Sequence, residues 1–213
     1  MTLKPRRLSK AKLSKVLAVA FIALGTLSQA RAEDLSAKQI VDGLKGVKTR
    51  SLSSTRDAVP PLDAKDAAFI ERMRRTRSLS SADRDQMATI AQQRPSVDVE
   101  IYFDYNSAAV TQRAEPQLKS LGQALTGTDL AGSVVMLGGH TDAKGGDGYN
   151  QGLSERRAET VKKYLVDNFR IPAENLISTG YGKTGLKNPA DPFAAENRRV
   201  QIVNMATGAQ ASK

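Results

Sequence analysis

Cysteine and tryptophan are absent from the 213 residues, and histidine occurs once. Without a thiol the chain holds no disulfide, thiolate zinc site, iron–sulfur cluster or cysteine nucleophile. A single imidazole excludes a multi-histidine metal site within one chain. Aromatic residues make up 5% of the sequence, few for the stacking platforms that grip single-stranded nucleic acid. Hydrophobic residues at 40% and charged residues at 25% give the balance of a globular chain. Long apolar runs are also scarce. Val16 to Leu27 is such a run, but it is 12 residues long, against roughly 20 needed to cross a bilayer as a helix.

Basic charge is what the chain has in excess, with a net of +10. Its location removes the suggestion of a nucleic-acid partner. Residues 1–32 carry Lys4, Arg6, Arg7, Lys10, Lys12, Lys15 and Arg31 and no acidic residue. This basic stretch precedes the apolar run, and Ala30-Arg31-Ala32 places small residues at the −3 and −1 positions of a cleavage site. The pattern is that of a secretory signal peptide cleaved after Ala32. No cysteine follows the run, so a lipobox is excluded. Cleavage would leave 25 basic and 22 acidic side chains, a net of +3. The alternative is an uncleaved inner-membrane anchor.

Residues 33–95 form a helical and irregular segment. Ser36 to Lys45 places Ile40, Val41 and Leu44 at helical spacing behind a capping serine. Pro60-Pro61 breaks the chain. A second helix is expected over Asp63 to Arg75, with Phe69, Ile70 and Met73 inward, and a third over Ser81 to Gln93, stopped by Pro95. The hexapeptide TRSLSS occurs at Thr49–Ser54 and again at Thr76–Ser81, either as paired docking segments or by chance in a Ser/Arg-rich stretch. The arginines at 72, 74, 75 and 77 read as a solvated helix face or as a contact to an anionic polymer.

From Ser96 the pattern becomes regular. Val97, Val99, Ile101 and Phe103 alternate as in a half-buried strand. Thr111 to Leu125 has helical spacing, and Gly132 to Gly138 is a short apolar strand. Tyr149 to Phe169 reads as a long helix, with strands at Leu176–Gly180 and Arg199–Met205. The order β-α-β-α-β-β predicts an α/β sandwich, helices on one face of a mixed sheet, over residues 96–206. Residues 207–213 are expected to be a flexible tail.

Two motifs are decoys. Gly182-Lys183-Thr184 imitates a phosphate-binding loop, but Ile177 stands where its first glycine belongs, and Gly185 and Pro189 interrupt the helix that should follow. Asp142 and Asp147 suggest a calcium loop, but counting from Asp142 puts Lys144 at position three and Leu153 at position twelve, where a bidentate carboxylate is required. No nucleophile elbow accompanies His140, so no catalysis, cofactor or metal is expected.

The informative segment is Gly139-His-Thr-Asp142, Tyr149-Asn150 and Leu153-Ser154-Glu-Arg-Arg157-Ala158. Around it fall Ile101-Tyr-Phe103-Asp104, Gly180-Tyr181-Gly182 and Asn197-Arg198-Arg199-Val200. Together these resemble the OmpA-like C-terminal domain, the peptidoglycan-anchoring module of Gram-negative envelope proteins, over about residues 96–205. The resemblance implies a non-enzymatic wall anchor in the periplasm, associated with the cell wall or outer membrane. It assigns ligand contact to Asp142, Arg157, Asn150 and Arg198. The sequence departs from the family at Lys144, and at Phe193-Ala194, where Gly-Arg is common.

The residues themselves fit that chemistry. The meso-diaminopimelate of the stem peptide ends in an ammonium and a carboxylate. Asp142, in the loop at the carboxyl end of a strand, suits the ammonium. Arg157, about two turns into the next helix, can grip the carboxylate bidentately. Asp104 is a rim contact, and amides at the helix start favour an anion. The alternative reading pairs Asp142 and Arg157 only with each other. His140 and Ser154 are expected to be structural. A further alternative makes the protein an adaptor whose 33–95 segment binds another envelope protein, and a homodimer would raise wall retention through avidity.

Overall fold

The computed structural model describes residues 34–45, 62–104 and 106–205. The expected signal peptide, the first TRSLSS copy and the tail lie outside these residues. Three helices come first: α1 (Ala37–Leu44), α2 (Ala64–Arg74) and α3 (Ser81–Ala91). Then follow β1 (Ser96–Val99), α4 (Glu115–Thr126), β2 (Val135–Gly139), α5 (Asp147–Phe169), β3 (Leu176–Gly180) and β4 (Val200–Asn204). Among the described residues no helix is long and apolar enough to cross a membrane.

Local chemistry sets the helix starts. Ser36 accepts from the Gln39 amide, and the Gln39 side chain accepts from the Ser36 amide, a reciprocal box. Asp63 caps α2 by accepting from the Asp66 amide, and Ser80 forms a second box with Asp83. The second TRSLSS copy therefore acts as a helix start, with Leu79 buried and Ser80 as the cap. α4 begins later than the apolar spacing suggests, because Pro116 occupies its first turn.

The strand order is β1-β4-β2-β3. β2 and β3 are parallel, joined through α5 as such a crossover requires, and β4 runs antiparallel to both its neighbours. The alternation expected from Val97 to Phe103 holds for burial: Val99 and Ile101 are core, and Val97 and Phe103 pack against the same cluster. The ladder to β4 stops at Val99.

α4 and α5 cover one face of the sheet, as the β-α-β-α-β-β order predicts. α1 joins them, burying Ile40 and Leu44 in their core. Gln117 fixes its entry, accepting from the Leu35 amide at 2.7 Å and donating to the Leu35 carbonyl at 3.1 Å. The opposite face carries α2 and α3. Phe69, Ile70, Met73, Met87 and Ile90 bury Met136, Ile177 and Val203 there. The described residues thus form three layers, and those before the regular strand pattern supply part of both cores. Arg74 belongs to this packing, donating to the Glu174 carbonyl and the Asn175 side chain, each at 2.9 Å. Arg72 meets Asp83 at 3.3 Å.

One close approach fixes where α5 lies. A Cβ on Gly139 would stand 2.3 Å from the Ser154 carbonyl oxygen, and one on Gly180 would stand 2.5 Å from the Glu155 amide. Only glycine at the ends of β2 and β3 lets the helix rest directly on them.

Candidate functional site

The loop after β2 is held on several sides. His140 donates its amide to the Arg199 carbonyl at 2.9 Å, Thr141 to Gly182 at 2.7 Å, and Ala143 to Pro192 at 2.9 Å. Asp142 then closes an Asx turn, its Oδ1 accepting from the Lys144 amide at 3.1 Å. Asn150, buried in the first turn of α5, donates to the Lys144 carbonyl at 3.0 Å. Gly145 follows with φ +97°, a conformation that side chains rarely adopt. The result is a rigid platform carrying one carboxylate.

Opposite it lies Arg157. The helix begins at Asp147, two residues earlier than expected, so Arg157 sits in its third turn. The residue as a whole is 8% exposed; its guanidinium donates through Nε to the Ser107 carbonyl at 3.1 Å and lies 5.0 Å from the centre of the Phe103 ring. Nη2 reaches the Asp104 carbonyl at 3.5 Å. Burial first, and then the Arg198 charge, lower its pKa from the usual arginine value, against Tyr149 and Asp142. Arginine stays cationic regardless. Two backbone bonds leave further N–H donors of the fork available.

Asp142 and Arg157 do not pair with each other. The Asp142 Oδ2 instead accepts from Nη1 of Arg198 at 2.8 Å. The Asn-Arg-Arg stretch divides its tasks. Asn197, fully buried, accepts from the Asn188 amide at 2.9 Å and donates to the Asp191 carbonyl at 2.9 Å, shaping the preceding loop. Arg198 turns to Asp142. Arg199 turns away, donating to Asp98 at 2.9 Å and to the Gly185 carbonyl at 3.2 Å.

Asp104, Asp142, Asn150, Arg157 and Arg198, which lie far apart in sequence, all line one cleft of about 750 Å³. Its walls also include Phe103, Asn106, Thr141, Lys144, Tyr149 and Phe193. The charged side chains are three cations and two carboxylates. Among the described residues no three histidine, aspartate or glutamate side chains gather to hold a metal ion. Tyr149 and Thr141 were missed as site residues by sequence reasoning; Tyr149 was legible only as a neighbour of Asn150, and Thr141 only as a neighbour of Asp142.

The two side chains expected to be structural lie beside the cleft. Ser154 is fully buried; its hydroxyl donates to the Gln151 carbonyl and accepts from the Gly182 amide, both at 2.8 Å. His140 stacks on Tyr181 with ring centres 5.3 Å apart, and its Nδ1 lies 3.4 Å from the Thr184 carbonyl. Burial, then the Arg199 charge, pushes its pKa down to about 4.

Residues 102–200 match the model of the OmpA family. The chain is similar to outer membrane protein A of Escherichia fergusonii, 38% identical over 99 residues, which are 46% of this chain and 39% of that protein. It is 32% identical over 104 residues to outer membrane porin F of Pseudomonas aeruginosa, covering 49% of this chain and 29% of that protein. The match thus spans less than half the length of either relative. Two solved structures are similar. The peptidoglycan-associated lipoprotein from Burkholderia pseudomallei is 26% identical, with 48% of this chain and 86% of that chain covered and a TM-score of 0.41. The C-terminal domain of Helicobacter pylori MotB is 21% identical, with 50% and 82% covered and a TM-score of 0.44.

Proposed function

From an OmpA-like domain, which this chain carries at residues 102–200, we propose a non-covalent anchor to peptidoglycan that binds the meso-diaminopimelate of the stem peptide at the Gram-negative wall. The observation that carries this reading is the convergence of Asp142, Arg157 and Arg198 on one cleft. A zwitterion needs an acceptor for its ammonium and a forked donor for its carboxylate. Asp142 supplies the acceptor, since an ionised carboxylate has about four lone-pair positions and Arg198 and the Lys144 amide occupy two. Arg157 supplies the fork. Arg198 holds the Asp142 carboxylate in place and adds a second donor. Asn150 acts by bracing the loop, and Asp104 stands at the rim. Lys144 is suited to a neighbouring peptide carboxylate.

The function needs no bond making. Residues 1–32 serve export, and the protein acts in the periplasm. Affinity for one zwitterion is modest because ordering the ligand opposes a few charged hydrogen bonds; the repeating wall compensates through avidity. The test is co-sedimentation of the purified protein with diaminopimelate-type sacculi, with free meso-diaminopimelate and lysine as competitors. Release by the first and not the second is expected. Failure to sediment overturns the reading.

A further inference from the structure

Among the described residues, the exposed large hydrophobic side chains are Tyr149, at 45%, and Phe193, at 64%. Both line the charged cleft. Single exposed apolar residues need no explanation, but two that stand out among the described residues and meet in one concave site do. Neither ring stands out because its backbone is loose. Tyr149 is in the first turn of α5, and its hydroxyl donates to Asn106 Oδ1 at 2.6 Å. Phe193 follows Pro192, whose carbonyl accepts from Ala143, and its own amide donates to Asp191 Oδ1 at 3.2 Å. The main chain around Phe193 is thus tied down while its ring faces the cleft.

The charged groups account for the two ends of a zwitterion and use none of this apolar surface. Phe103, Leu153, Tyr149 and Phe193 give the cleft an apolar side. Its volume of about 750 Å³ lies in the range that takes a drug-sized ligand, more than one amino-acid end group fills. Resting on the function proposed above, we propose that Phe193 and Tyr149 are specificity-determining residues that close on the aliphatic part of the stem peptide beyond the diaminopimelate, the methyl group of the alanine that follows it. The site then reads a peptide segment, with charge at its centre and aromatic contact at its mouth.

The experiment compares two probes on the purified protein by calorimetry: free meso-diaminopimelate, and the stem tetrapeptide that continues into D-alanine. The tetrapeptide is expected to bind at least tenfold tighter. Phe193→Ala should cut that advantage about fivefold and leave the affinity for the free amino acid within twofold, while Phe193→Leu keeps most of the advantage. Tyr149→Leu, which removes the Asn106 bond but keeps apolar bulk, should cost less than Tyr149→Ser. An advantage unchanged in Phe193→Ala, or equal losses for both probes, overturns this inference and leaves the wall-anchor reading intact. If the wild-type protein binds neither probe, the anchor reading itself fails and this one falls with it.

Discussion

Asp142 and Arg198 are joined by a 2.8 Å charged hydrogen bond whose carboxylate is well shielded, its side chain 15% exposed, and whose guanidinium is half open at 46%. A half-exposed pair of this kind stabilises a fold by only about 0–1 kcal/mol. Its larger effect is to aim the carboxylate, with lone pairs left for the ammonium of the ligand proposed above.

Asp142→Ala should therefore weaken sacculus binding more than tenfold while shifting unfolding free energy by less than about 1 kcal/mol. Co-sedimentation alongside urea denaturation separates the two. Retained binding by the folded variant would refute the site assignment.

Arg157 behaves differently, because it also ties α5 to the segment after β1. Arg157→Met should abolish binding and destabilise by about 1–3 kcal/mol, the cost of leaving the Ser107 carbonyl without its donor. A shift in the urea midpoint at unchanged slope is the expected signature.

His140 makes stability depend on pH. Its folded pKa of about 4 lies below the ordinary 6.5, so the unfolded chain takes up a proton first as pH falls. The contribution is complete above pH 6.5 and declines as pH drops towards 4, by about 2–4 kcal/mol in total. Chemical denaturation from pH 7 to 4 should show this slope, flattened in His140→Gln; an equal slope in both proteins would exclude the histidine as its source.

Gly139→Ala is expected to destabilise by about 1–3 kcal/mol or more, since the helix must retreat from its own 2.3 Å contact. That retreat carries Arg157 away from Asp142, so binding should fall beyond what the lost stability explains. Thermal unfolding and sacculus binding on the same preparation check both effects.

Much of this was legible beforehand because each element carries a local signature. Ser36 and Ser80 mark helix starts, and the alternation from Val97 to Phe103 marks a buried face. The five residues assigned to ligand contact line a single cleft. What stayed hidden depends on contacts between distant residues. Nothing local to Phe69 or Met87 states which sheet face they cover. Nor does the Asn-Arg-Arg stretch reveal that Arg198 turns to Asp142 while Arg199 turns to Asp98, because both residues precede β4 and their directions are set by the turn that Asn197 ends. Phe193 showed itself only as a departure from the family pattern, since its exposure is a property of the folded loop.

The α2–α3 layer has a redox consequence. Of the five methionines in the sequence, Met73, Met87, Met136 and Met205 lie together where these helices meet the sheet, each at most 2% exposed. Thioethers suit such a seam because they fill irregular gaps, but oxidation turns each into a polar sulfoxide that no longer belongs in an apolar core. While the layer is seated, peroxide is shut out. A moment of opening leaves a chemical record, and a second sulfoxide makes reseating harder than the first. Oxidants would thus wear this protein out from its covered face, with the charged cleft still intact when the damage begins.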